Sequence, residues 1–192
     1  MKDLLEKVKG ILFDPANSWQ KVKEEKIDIK QFLFSYVLIL AAIGPVSQFI
    51  GYVIIGRAFG FRLSFFGGLF NLILSYVVSI AGIALASFIM GQLSLSLNYK
   101  KDFIEHFKLI SYSLTPYWIL SVFYIIPPIS AIAIIGGLYS LYLLYIGTPI
   151  VIEVPKEKIV IYIIILVIIL FIIYFCLNLL SSGAFLLGLK KG

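Results

Sequence analysis

The chain has 192 residues, of which 61% are hydrophobic and 14% charged, whereas soluble domains carry roughly 25% charged residues. Sixteen lysines and arginines against ten acids leave a net charge of +6. This composition excludes a water-solvated globular core. The positive charge gathers in short clusters beside long apolar runs, where it suits an anionic membrane surface rather than nucleic acid.

In chain order, Leu4, Leu5, Val8, Ile11 and Leu12 recur at helical spacing between Lys2, Asp3, Glu6, Lys7 and Lys9, which predicts an amphipathic helix lying on the membrane surface. No apolar core of a cleavable signal is present there, so the first span is expected to act as an uncleaved anchor. Asp14-Pro15 reads as the cap and first residue of a second short helix with Trp19 and Val22 on one side. Trp19 suits the headgroup level. Pro15 and Trp19 mark residues 1–30 as a candidate docking segment for a partner or for lipid, with simple anchoring of the first span as the plainer reading.

Four charge-free stretches follow, at 31–56, 63–99, 109–152 and 159–189, each longer than the roughly 20 residues a crossing needs. Pro127-Pro128 divides the third, because a proline pair removes backbone donors and ends a helix. The expected fold is therefore all-α and polytopic, with five spans near 32–55, 66–92, 109–126, 129–147 and 159–180 forming a transmembrane unit over 31–192. Lysines and arginines near span ends favour the cytoplasmic side. Twelve fall on the N-terminal side and four on the other, predicting a cytoplasmic N-terminus and an external C-terminus.

All ten acids and His106, the one histidine, fall outside these spans. With no ionisable relay at membrane depth and no ligand cluster or nucleophile–base pair to assemble, the sequence argues against a coupled transporter, a metal site, a cofactor and catalysis. His106 is expected to be a solvated interfacial residue, and Cys176 a packing residue in the fifth span. Small residues four apart, such as Ser75 and Ser79, Gly82 and Ala86, Ser87 and Gly91, Ala133 and Gly137, and Gly136 and Ser140, predict close helix packing or a homo-oligomeric face. The fifth span, Ile-, Leu- and Val-rich from Ile159 to Ile173, is expected to face lipid nearly all round.

Gly44-Pro45 should kink the first span and Thr115-Pro116 the third. Around the second kink stand Tyr112, Ser113, Thr115, Pro116, Tyr117 and Trp118, a polar group for membrane depth. Tyr139, Tyr142 and Tyr145 form a stripe on the fourth span that could face it. Two readings stand: hydroxyls satisfying the freed backbone, or a polar cavity or lipid-headgroup site, which would suit a permease or channel subunit.

The runs Ile110-Ser111-Tyr112-Ser113-Leu114-Thr115-Pro116, Tyr139 to Pro149 and Val154-Pro155-Lys156-Glu157-Lys158, with the opening Leu12-Phe13-Asp14-Pro15-Ala16-Asn17-Ser18-Trp19, resemble the Yip-domain family over nearly the whole chain. The resemblance implies a five-span helical domain without catalysis that acts as a scaffold, lipid-organising or partner-binding module. Eukaryotic members bind prenylated Rab-type GTPases and one another. Their Asp-Leu-x-Gly-Pro-like motif has no counterpart before the first span here, and Ser111 stands where their pattern has glycine, so Rab-type binding is not carried over. Short length and Lys/Ile-rich composition resemble prokaryotic members, which implies the cell membrane as location. The partners implied are membrane lipids, further copies of the chain or other membrane proteins.

Overall fold

The computed structural model describes residues 2–60, 64–96 and 102–189, for the last helix beyond Ile173 mostly in its backbone alone. Arg62, Lys100, Lys101, Lys190 and Lys191 of the charge count, and the Cys176 side chain, lie outside what is described. All described elements are helical. A short pair, α1 (Lys2–Phe13) and α2 (Pro15–Glu24), precedes α3 (Ile29–Ile55), α4 (Phe65–Ser96), α5 (Phe103–Ser113), α6 (Thr115–Leu120), α7 (Ala133–Val151) and α8 (Ile159–Leu189).

Among the described residues, three helical stretches are long and apolar enough to cross a membrane: Ile29–Ile55, Phe65–Leu95 and Pro127–Val151. The segment expected as the third span is broken instead. It runs as α5, a turn at Leu114, α6 and a 3-10 stretch, Ser121–Ile125. The break falls where expected, because Pro116 offers no N–H to continue the ladder. In the same way α3 is interrupted at Ala42, ahead of Pro45. Two π-helical stretches in α3, Leu33–Val37 and Ile50–Ile55, had no sequence signal. Ile126, in extended conformation, turns the chain into a second 3-10 stretch, Pro127–Ile132. The Pro127-Pro128 hairpin is thus made of two tight turns rather than two α-helical ends.

α7 runs past the expected limit of residue 147, through Pro149, because Val151 and Ile152 are fully buried and reward its continuation. Glu153, at φ 63, then ends it. α8 corrects the expectation of lipid all round. Ile159, Tyr162, Leu166 and Ile173 form a buried stripe on the side that packs against α4 and α7, and only the opposite face is exposed. A helix with apolar residues on every face carries no periodic signal to announce its protein-facing stripe.

Several of the small residues do bring backbones together. Ala86, Ser87, Gly136 and Ser140 are buried, and a Cβ on Gly136 would stand 2.6 Å from the Pro116 carbonyl oxygen. Gly136→Val should therefore separate α6 from α7, at a cost of about 1–3 kcal/mol. Thermal unfolding in detergent checks this, and an unchanged midpoint would contradict the contact.

Candidate functional site

The elements that converge on the candidate docking segment do so at one end of the bundle. α1 and α2 form a helical hairpin that lies along the bundle rather than flat beneath it. α2 packs along α7, and α1 touches α6. Lys23 pairs with Glu153 at 3.0 Å, the Trp19 ring fills the space a side chain at Gly147 would occupy, 2.7 Å from its ideal Cβ, and the Tyr139 hydroxyl donates to the Leu12 carbonyl at 2.7 Å. From Val151 back to Tyr139 is about 18 Å at a rise of roughly 1.5 Å per residue. Trp19 is fully buried, against Leu109, Gly147 and Tyr112. Its amphipathic pattern was read correctly, since Trp19 and Val22 share the buried side; what covers that side is protein. Pro15 opens α2 as expected. Asp14 caps nothing through its side chain, which accepts from Asn17 at 2.8 and 3.1 Å.

A polar node locks the open end of the hairpin. The Glu25 carboxylate accepts from Lys7 Nζ at 2.7 Å and from the Tyr112 hydroxyl at 3.2 Å, while its carbonyl accepts from Lys108 Nζ at 3.0 Å. Lys108, almost wholly buried, also pairs with Glu105 at 3.1 Å. Phe32, Tyr36 and Tyr112 pack ring on ring beside it, at centroid separations of 4.8–5.3 Å. Glu25 and Lys108 went unnoticed in the sequence. The available signal was the spacing of Lys108 and Tyr112, four apart on one helix face.

The predicted polar group near the third-span kink does not converge. Tyr112 belongs to the Glu25 node. Thr115, fully buried, bonds the Tyr36 hydroxyl at 2.7 Å, tying α3 to α6. Ser113 Oγ is buried without a protein partner, as are Ser111 Oγ and the Trp19 indole N–H. The Pro116 carbonyl meets Gly136, and the Tyr117 hydroxyl lies 3.4 Å from that of Tyr124. Tyr142 stacks on Tyr139 but is half exposed, as is Tyr145. The tyrosine stripe faces outward, away from the kink.

His106 is corrected more sharply: it is fully buried rather than solvated. Its Nδ1 donates to the Asp102 carbonyl at 2.7 Å, so Nε2 is the acceptor, facing Ser94 Oγ at 3.1 Å and the Tyr162 hydroxyl. These bonds join α4, α5 and α8. Ser94 and His106 stand on separate helices, with no local pattern that pairs them. Ser94 is also fully buried and 2.8 Å from Tyr162, and none of the three lines the cavity at the hairpin mouth or the one among α3, α4, α6, α7 and α8. The arrangement holds three helices together. Burial pushes His106 below the usual histidine value, outweighing the upward pull of Asp102 and Glu105.

Apolar helices of membrane length, with charge concentrated toward one end and interhelical hydroxyl bonds between them, define a helical integral membrane protein. Within that class the chain belongs to the Yip1 domain family, whose family model matches residues 9–177. It is 28% identical over 156 residues to the inner membrane protein YohC of Escherichia coli K12, covering 78% of this chain and 80% of that protein. It is equally similar to the YohC of Escherichia coli O6:H1. No solved structure matches it.

Glu25→Ala should leave the Tyr112 hydroxyl and Lys7 without their acceptor, at about 1–3 kcal/mol, and release α1–α2. Hydrogen exchange across residues 2–24 is expected to rise while α4 stays protected; equal protection in both forms would dismiss the node as a lock. For His106, the unfolded chain binds its proton near pH 6.5 and the folded chain only at lower pH. Its contribution is therefore complete above about pH 6.5 and is lost as pH falls below that. Thermal midpoints in detergent should drop between about pH 7 and pH 5, with a shallower slope in His106→Gln.

Proposed function

We propose that the chain is a non-enzymatic, lipid-organising membrane module: a five-span bundle with a cytoplasmic N-terminus, whose α1–α2 hairpin sits as a wedge in the adjoining leaflet. One observation carries this reading, the distribution of charge along the docked hairpin. Lys2, Asp3, Glu6, Lys7 and Lys9 occupy the open end of α1, and Lys21, Lys23 and Glu24 that of α2, whereas residues 10–20 between them contain only Asp14. The tip carries Phe13, 84% exposed. A hairpin whose charge gathers at its mouth and falls to the single Asp14 at its tip follows the polarity gradient of one leaflet, and a large apolar side chain pointing outward beside that turn fits acyl chains rather than water.

The count of five rests on residues 109–126, the later part of α5 with α6 and its 3-10 extension, as a broken crossing and on α8 as a complete one. Irregular backbone at membrane depth is tolerated where protein covers it, and Ser111, Ser113, Thr115 and Ser121 are all buried. The charge bias of the sequence supports the orientation, and the Escherichia coli relatives support the cell membrane as location. Partners on this reading are membrane lipids, with further copies or other membrane proteins meeting the exposed apolar faces; Rab-type GTPases and nucleic acid have no role in it.

The test uses the full chain reconstituted in vesicles of phosphatidylethanolamine and phosphatidylglycerol. A polarity-sensitive label on Phe13→Cys, in a Cys176→Ser background, should report an apolar environment closed to aqueous quencher, and a label at Lys2→Cys an aqueous one. Vesicles should become smaller with the wild-type chain and less so with Phe13→Asp. A water-accessible label at 13 would remove the wedge. Solute flux through the vesicles, lost in Thr115→Val, would transfer the reading to a permease or channel subunit.

A further inference from the structure

A second cavity, of about 490 Å³, lies in the half of the bundle farther from the hairpin mouth, among α3, α4, α6, α7 and α8. Its size falls within the roughly 300–1,000 Å³ of small-ligand pockets. No acid, base or histidine lines it. Most of its hydroxyls are already committed: Ser75 donates to the Leu72 carbonyl, Ser121 to Trp118 and Ser140 to Gly136. The carboxamides of Gln48 and Asn71 are different. Both line the cavity, and among the described residues neither has a protein partner. A free carboxamide in hydrocarbon is costly, so the pair calls for an occupant that brings its own hydrogen-bonding groups.

Their depth narrows what that occupant is. Gln48 lies about 10 Å from the Ile55 end of α3 and Asn71 about 9 Å from the Phe65 end of α4, at roughly 1.5 Å per residue. Both helices exceed the ~30 Å hydrocarbon thickness, which sets the two carboxamides near its edge, where glycerol esters begin. The rest of the lining is apolar, with Pro45, Val78, Leu144 and Leu170 leading toward mid-bundle. At the rim, Leu141 and Val167 are exposed on helix faces whose neighbours, Leu138, Ile164, Ile168 and Phe171, are exposed and apolar as well. The mouth therefore opens toward lipid rather than water.

We propose that this cavity is a binding site for one phospholipid of the leaflet opposite the hairpin, its ester carbonyls accepting from the carboxamides of Gln48 and Asn71 and an acyl chain filling the apolar channel beyond. The site stands apart from the wedge, in other residues and the other leaflet. An uncharged lining reads the ester region and chain, not the headgroup.

Gly137 supplies the test. It lines the cavity, and a Cβ there meets nothing within 4 Å, whereas at the adjacent Gly136 one would strike the Pro116 backbone. Gly137→Leu thus fills the cavity without parting the helices. The full chain, exchanged from vesicles into mild detergent, is weighed by native mass spectrometry for retained phospholipid. In vesicles of chain-brominated phosphatidylglycerol, emission from Trp118, which lines the cavity, is followed for quenching. The wild type should keep a phospholipid. Gly137→Leu and the double variant Gln48→Leu with Asn71→Leu should each keep about tenfold less, with weaker quenching and wild-type helicity. The double variant keeps the test decisive should Gly137→Leu not fold. A wild-type chain that carries no phospholipid through exchange overturns the proposal. So does full retention in both variants, or a water-soluble solute held in the lipid's place.

Discussion

Charge is expensive in hydrocarbon unless it is paired or led to water, and the arrangement of this chain follows from that cost. Every acid in the sequence and most of its cations lie before α3, in the first turns of α5 or in the segments that join helices. What is buried there is paired. Lys108 is spent on Glu105 and on the Glu25 carbonyl, and Glu25 on Lys7 and Tyr112. Elsewhere, helices are joined by neutral hydroxyls, such as Tyr36 to Thr115 and Tyr76 to the Leu38 carbonyl. Such bonds are modest in membranes, about 0.6 kcal/mol on average, so steric fit at small residues carries much of the association.

Much of the helical frame was legible in the sequence, because a bilayer demands long apolar runs and prolines interrupt them at fixed places. The ends of α3, α4 and α8 fall within a few residues of expectation at their starts, and the breaks precede Pro45 and Pro116 as proline chemistry requires. The covering of each apolar face was not legible. The pattern that placed Trp19 and Val22 together is the same whether lipid or α7 lies above it, and here it is α7. His106 illustrates the same gap. Its neighbours in sequence, Glu105 and Phe107, suggest an exposed loop, but its partners Ser94 and Tyr162 come from helices that no local pattern connects to it. The tyrosine stripe of α7 leaves a different gap, since aromatic spacing gives a face without a direction. The cavity was half visible: Tyr117 and Trp118 were noticed, while Gln48 and Asn71 passed as isolated polar residues in two different spans.

The two halves of the bundle consequently do different work. One end is an ionic and aromatic clasp that fixes the hairpin at a chosen depth. The other holds the cavity of about 490 Å³, whose lining is uncharged.

The seat of Trp19 also orders events during synthesis. Gly147, whose missing side chain makes room for the indole, emerges from the ribosome only long after Trp19, on the order of ten seconds at 5–20 residues per second. Throughout that interval α1 and α2 have no α7 to dock against, and their apolar side must be sheltered by the membrane surface or by the insertion machinery. Closing the hairpin is therefore a late step in biogenesis, and the N-terminus of the chain is among the last parts of it to reach its final place.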